Sequence, residues 1–216
     1  MSQDLRGPVP TGRLVLVRHG ETEWSRSGRH TGRTDIPLTP EGERRAAGLP
    51  PALREFRFVL VATSPRARAI RTADLAGLVP GGQRSAADVA ARAVWPDLAE
   101  WDYGDLEGRT TVQIREQQPG WTIWTGQVPG GESAAAVAAR ADAVLARALP
   151  LLFDGDVALV GHGHMSRVLI ARWLGLGPAH GASFLVEPAS VSVLDHERET
   201  PVLGRLNLRP AASAAR

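Results

Sequence analysis

Three short apolar runs in this chain each end on residues able to do chemistry. Leu14-Val15-Leu16-Val17 runs into Arg18-His19-Gly20, residues 58–62 run into Thr63-Ser64-Pro65-Arg66-Ala67-Arg68, and residues 157–160 run into Gly161-His162-Gly163-His164. Four or five aliphatic residues in a row are too short for a buried helix and read as buried strands. In an open α/β sheet, ligands bind at the carboxyl ends of the strands. If the three strands are parallel neighbours, Arg18, His19, Arg68 and His162 meet at one edge. The planar fork of arginine gives paired hydrogen bonds to phosphate oxygens and keeps its charge. A neutral imidazole can act as a nucleophile and split one difficult step into two. Two arginines and two histidines converging there make a pocket for a phosphoryl group.

The motifs also follow a fixed order: Arg18-His19-Gly20-Glu21-Thr22, then Ser64 with Arg68-Ala69, then Glu100 ahead of Tyr103-Gly104, then His162-Gly163. A lone Arg-His-Gly triplet is weak evidence, whereas four motifs in order are strong. In these residues, spread from about Leu14 to Val193, the chain resembles the histidine phosphatase (phosphoglycerate mutase-like) superfamily. The resemblance implies His19 as the nucleophile, His162 as the second histidine acting on the equatorial oxygens, and Glu100 as the proton donor to the leaving oxygen. Arg18 and Arg68 are the candidate phosphate-binding cations. Thr31-Gly32-Arg33 matches a glycine-containing segment near the phosphate, where backbone N–H groups would help bind it. Many relatives carry asparagine after the tryptophan, whereas this chain has Ser25, a hydroxyl of shorter reach. His164 is a further candidate substrate contact, weighed against a plain role in supporting its loop. His30, His180 and His196 are expected at the surface. Asp102, Asp105 and Glu107 are expected to be solvated loop charges.

Within the family, residues 23–25 and 31–35 resemble the bacterial acid phosphatases and the fungal sedoheptulose-bisphosphatase branch. The resulting expectation is a cofactor-independent phosphatase, without a metal, acting on a small phosphorylated metabolite, with a sugar phosphate as the leading substrate class. A phosphoglycerate mutase would share every catalytic residue but needs cations for the substrate carboxylate, and residues 117–133 contain neither arginine nor lysine, so that Arg29, Arg33 or Arg109 would have to replace them. A metal phosphoesterase built on His162, His164, His19 and Glu100 is disfavoured because the arginines would repel the ion. A non-catalytic phospholigand binder is disfavoured because all the catalytic positions are filled.

Those residues need a scaffold, and the composition bounds it. At 216 residues, 43% hydrophobic and 22% charged, the chain has the length and make-up of one globular domain, 1–216. The implied fold is three-layer α/β/α, with a mostly parallel central sheet and a small helix-loop cap at about 20–37 and 96–131. Residues 1–12 and 209–216 read as flexible tails. Thr39-Pro40 and Ser64-Pro65 read as helix starts, the second helix carrying Arg68 in its first turn. Residues 110–117 read as a short helix. After Ser133, Val137, Ala141, Val144, Leu145 and Ala148 form one apolar helix face. Residues 190–194 and 202–206 read as a final strand pair around a turn at 196–199.

There is no cysteine and no lysine among 25 basic residues, and the net charge is +2. The sequence pI of 10.2 therefore reflects how little titrates between histidine and arginine. Without a dense basic block, nucleic acid is not an expected partner. No stretch reaches the roughly 18 apolar residues of a membrane span, so neither a membrane nor an address other than the cytoplasm is expected. The oligomeric state, a homo-oligomer included, stays open.

Overall fold

Apolar strands with no polar face must be covered on both sides, and the sheet is built accordingly. The computed structural model describes residues 8–82 and 92–209, so most of the two expected tails lies outside the described residues. Six strands, β1 (Leu14–Arg18), β2 (Phe58–Thr63), β3 (Ala93–Val94), β4 (Asp156–Gly161), β5 (Ser190–Glu197) and β6 (Thr200–Leu208), form one sheet in the order β3-β2-β4-β1-β5-β6. β1, β2, β3 and β4 run parallel. β5 runs antiparallel to β1, and β6 antiparallel to β5. The three strands expected to be parallel neighbours are neighbours. The final turn is tighter than expected, because His196 and Glu197 belong to β5 and only Arg198 and Glu199 make the turn.

The helices are α1 (Glu23–Arg26), α2 (Pro40–Ala47), α3 (Pro50–Leu53), α4 (Ala67–Leu75), α5 (Thr111–Gln117), α6 (Ala134–Ala148) and α7 (Gly163–Trp173). Alternation along β1 separates two cores. Leu14 and Leu16 join α6 and α7 through Val137, Val144, Met165 and Leu169. Val15 and Val17 join the α3 and α4 side through Leu53, Ala69 and Ala73. All five apolar positions expected on α6 are buried. The cap segment shares the first core: Trp101, Tyr103, Ile114 and Trp121 pack in the same cluster as α6 and α7. Among the described residues no helix is long and apolar enough to cross a membrane.

Thr39, Thr110 and Ser133 each cap their helix by accepting a backbone N–H. Ser64 does not. It lies before α4, whose capping position is Arg66 and carries no side-chain cap bond. The anion that the helix start favours comes from elsewhere: both carboxylate oxygens of Asp35 accept the Ala67 N–H, at 3.0 and 3.0 Å.

At the opposite end of the sheet, one carboxylate fixes the start of three strands. Asp156, buried, accepts Arg13 N at 2.9 Å, Arg13 Nε at 3.2 Å and Arg57 N at 2.7 Å. Asp156→Ala strands these part-buried donors, each of which costs less than the usual about 1–3 kcal/mol of a fully buried group left unpaired. The variant should lower the unfolding free energy by about 2–3 kcal/mol. The check is a urea titration in which the midpoint falls and the slope is unchanged.

Candidate active site

The strand register builds the site. Arg18 pairs with Gly161 across β1 and β4, and Thr63 with Val160 across β2 and β4. The next residues, His19, His162 and Ser64, therefore leave neighbouring strands side by side. His19 N donates to Gly161 O at 2.9 Å, and Ser64 N to Val160 O at 2.9 Å. The chain after His19 is pinned by a close approach: a Cβ on Gly20 would lie 2.5 Å from Gly42 O, and one on Gly42 would lie 2.2 Å from Glu21 O. Glycine at both positions lets the strand end press against α2.

His19 is buried, and its Nδ1 faces Gly20 O at 2.7 Å. A carbonyl only accepts, so this contact assigns the proton to Nδ1 and leaves Nε2 as the lone-pair nitrogen. Nε2 has no hydrogen-bond partner among the described residues. Burial, then the charges of Arg18 and Arg68, hold the His19 pKa well below its ordinary range, so the imidazole is neutral. Arg18 Nη1 donates to Val186 O at 2.5 Å, while its buried Nε has no partner. Arg18 and His19 line a cavity of about 260 Å³, near the small end of ligand pockets.

Arg68 and His162 are brought to His19 but form a layer behind it, away from the cavity wall. The two histidine rings meet edge to face with centroids 5.1 Å apart. His162 Nε2 lies 2.7 Å from Ser64 Oγ, and its Nδ1 accepts from Arg68 Nε at 3.3 Å. Arg68 gives its remaining donors to the carbonyls of Thr34, Thr31 and Gly32, at 2.9, 3.1 and 3.3 Å. Burial, followed by Arg68, keeps His162 neutral as well.

Glu100 lines the cavity and is held by main-chain donors: Trp101 N at 2.9 Å and Met165 N at 2.8 Å to one oxygen, His164 N at 3.0 Å to the other. Two of those amides belong to the first turn of α7, whose unpaired N–H groups favour a carboxyl there. His164 lines the same cavity and its Nδ1 is 2.6 Å from Tyr103 Oη. His30 is not at the surface. It is buried against Tyr103, with ring centroids 4.7 Å apart, and against Trp121, and it lines the cavity. Burial takes its pKa down to about 4.

The other substrate-binding candidates divide. Ser25 and Thr31 line the cavity, although Ser25 Oγ also completes the cap of α1 by accepting Thr22 N and donating to Thr22 O. Gly32 and Arg33 do not line it. Their N–H groups, with that of Thr34, go to the Glu107 carboxylate at 3.1, 3.1 and 2.7 Å. The Arg33 side chain pairs with Asp102 at 2.5 Å. Glu107 and Asp102 are thus structural groups of the cap; only Asp105 is exposed among the three acids expected to be solvated. For Glu107, burial pushes the pKa up, but those backbone donors outweigh it and the net shift is downward.

Two cavity arginines, Arg29 and Arg167, are not among the site residues expected from the sequence. Arg167 follows His164 by three positions, the helical spacing that puts two side chains on one face, and that spacing is the available signal. Arg29 has no signal beyond lying in the loop. Among the described residues no three His, Cys, Asp or Glu side chains converge as a metal cluster.

This geometry meets what comparison with known proteins finds. Residues 14–209 match the model of the histidine phosphatase superfamily, branch 1. An acid phosphatase of Mycobacterium tuberculosis is 44% identical over 201 residues, covering 91% of this chain and 94% of that protein. A sedoheptulose 1,7-bisphosphatase of Saccharomyces cerevisiae is 34% identical over 212 residues, covering 88% of this chain and 78% of that protein. A solved structure of a Mycobacterium tuberculosis open reading frame product superposes with a TM-score of 0.85 at 42% identity, covering 93% of this chain and 100% of that one. The fold and the ordered site residues define a phosphatase enzyme. The chain belongs to the histidine phosphatase superfamily.

Three buried histidines, His19, His30 and His162, and the half-buried His164 have pKa values below the ordinary 6.5. Each is neutral in the fold and takes up a proton when the chain unfolds at lower pH. Their contribution to stability is full above about pH 6.5 and is lost as the pH falls toward the folded-state value. For His30 that window runs down to about 4. Urea titrations from pH 7.5 to 5 should show stability falling with a slope of about 1.4 kcal/mol per pH unit for each proton taken up. His30→Gln should reduce that slope by about one proton.

Proposed function

We propose that this phosphatase hydrolyses a small phosphorylated metabolite, a sugar phosphate by preference, through a phosphohistidine on His19. One observation carries the reading: a neutral imidazole, its Nδ1 held by Gly20 O and its Nε2 free of any described partner, shares a cavity with Arg18 and Glu100. Nε2 attacks phosphorus and the ester P–O bond breaks, its electron pair leaving on the alkoxide oxygen. That oxygen takes a proton from the Glu100 carboxyl group, while Arg18 neutralises the charge on the phosphoryl oxygens. Water then attacks phosphorus and gives its proton to the Glu100 carboxylate. The N–P bond breaks and inorganic phosphate leaves. His162 and Arg68, one layer back, orient the nucleophile and supply positive field. The names of the two relatives, an acid phosphatase and a sugar bisphosphatase, agree with the reaction class and with the substrate class.

The mutase reading requires cations around a carboxylate. Residues 117–133 supply none, Arg33 is taken by Asp102, and Arg109 donates to Gln113 O and Gln117 Oε1, which leaves Arg29 and Arg167, both lining the cavity, as the cations a mutase would have to use. With 3-phosphoglycerate the expected outcome is slow phosphate release and negligible 2-phosphoglycerate, with or without a bisphosphoglycerate primer. Primed isomerisation outrunning phosphate release in a coupled assay would make the chain a mutase.

His19→Ala should abolish turnover while leaving the fold intact, and labelled substrate quenched without acid should leave phosphate on His19 of the parent protein. Glu100→Gln should slow alkyl phosphates by about 100-fold or more, the scale of a lost general acid. An aryl phosphate with an acidic phenol needs less protonation and should lose less. Equal losses on the two substrates would remove Glu100 from the acid role. A chelator should change neither rate.

A further inference from the structure

The hydrogen bond that fixes the Arg18 guanidinium comes from outside the parallel strand ends. Among the described residues its one acceptor is Val186 O, 2.5 Å from Nη1, and its Nε is left without a partner. The Val186 side chain is buried in the core shared with α6 and α7, which settles where this residue sits. The direction of its carbonyl is a separate matter, because C=O turns with its whole peptide plane. The same loop also reaches His19, whose carbonyl accepts Ala189 N at 3.1 Å.

That plane is held from β6. Val191 pairs with Leu208 and Val193 with Arg205, so two steps along β5 match three along β6. The extra residue makes a β-bulge, a device that re-aims a side chain. Asn207 lies in it with a φ of 57°, a left-handed conformation that asparagine adopts more readily than most residues. Its carboxamide leaves the strand and pairs with the loop as another peptide group would. Oδ1 accepts Glu187 N at 2.8 Å, and Nδ2 donates to Leu185 O at 2.5 Å. Glu187 N and Val186 O belong to one trans peptide group, in which N–H and C=O point in opposite directions. Holding the N–H on Asn207 therefore aims the carbonyl away from β6, where Arg18 meets it. Ser190 Oγ steadies the arrangement by donating to Glu187 O at 2.6 Å, and the Glu187 carboxylate pairs with Arg209.

We infer that Asn207, which does not line the cavity, is a positioning residue for the phosphatase reaction. Its carboxamide sets the peptide plane between Val186 and Glu187, and that plane sets the guanidinium of Arg18 in the cavity. The inference rests on the proposal that Arg18 neutralises a phosphoryl group reacting at His19.

The test is a double-mutant cycle on Asn207→Gly and Arg18→Met, read as kcat/KM for an aryl phosphate and as the inhibition constant of inorganic phosphate. Glycine accepts a φ of 57° without strain, so Asn207→Gly keeps the bulge and removes the carboxamide. Alone it should lower kcat/KM by about tenfold and raise the phosphate inhibition constant by about tenfold, the scale of one charge-assisted contact. Added to Arg18→Met it should change either value by less than about twofold, because the group it acts through is gone. A merely structural role would lower activity in both backgrounds alike. Parent values in Asn207→Gly, or the same tenfold loss repeated beside Arg18→Met, overturn the inference. If urea titration shows Asn207→Gly unfolded, Asn207→Asp replaces it in the cycle. That change keeps an acceptor for Glu187 N but sets a carboxylate oxygen against Leu185 O, and the same outcomes support or overturn the inference. Parent constants in Arg18→Met, or full aryl phosphatase activity in His19→Ala, would instead sink the underlying reaction and the inference with it.

Discussion

The pairing of β1 with β4 is the constraint on which the site depends. Because Arg18 stands opposite Gly161, the residues after each strand, His19 and His162, emerge together, and the His19 N–H closes the ladder on Gly161 O. A slip of one residue would turn Val15 and Val17 toward the opposite core and move Arg18 to the other face of the sheet. Register is therefore enforced by two apolar cores at once, one behind α4 and one behind α6 and α7. The position of His19 is secured by packing energy spread over the whole sheet.

Electrostatics then decides what that position can do. Burying arginines is costly unless their donors are satisfied, and here the cost is met by loop carbonyls. Arg68 takes the carbonyls of Thr31, Gly32 and Thr34, while Glu107 takes the N–H groups of Gly32, Arg33 and Thr34. Opposite charges thus clamp the two polar sides of one short loop. The loop becomes a wall of the site, and Arg68 becomes a fixed positive charge that adds to burial in keeping His162 neutral and, behind burial and Arg18, in keeping His19 neutral. A neutral His19 with its proton on Nδ1 keeps on Nε2 the lone pair that the proposed attack on phosphorus needs.

Much of this was legible in the chain. The three strand ends, the helix at 134–148 and the order of the motifs follow from apolar periodicity and from residue types that phosphate chemistry needs. Side-chain layering was not legible. Arg68 and His162 carry the same residue types as Arg18 and His19, and only the sheet shows that they form a second layer. Nor does local sequence reveal that Asp35 receives the start of α4, or that Glu107 serves residues 32–34, because each bond spans 32 to 75 positions. His30 looked like a surface residue because its polar loop gives no hint that Trp121 and Tyr103 close over it.

The cap explains why chemistry and specificity are separable in this fold. Trp101, Tyr103, Ile114 and Trp121 belong to the same apolar cluster as α6 and α7, so the cap moves only if part of the core opens. Such a wall presents packed side chains to whatever enters the cavity. Trp124 illustrates this: its ring carries the Arg167 guanidinium and also meets His164, with ring centroids 5.2 Å apart. One aromatic residue of the cap therefore positions both a cation and a neutral imidazole on α7, the helix whose first amides hold Glu100. Substitutions at the cavity end of the cap can change which anion is held without disturbing the strand ends that hold His19. Substitutions in the β1 and β4 register cannot change one without the other.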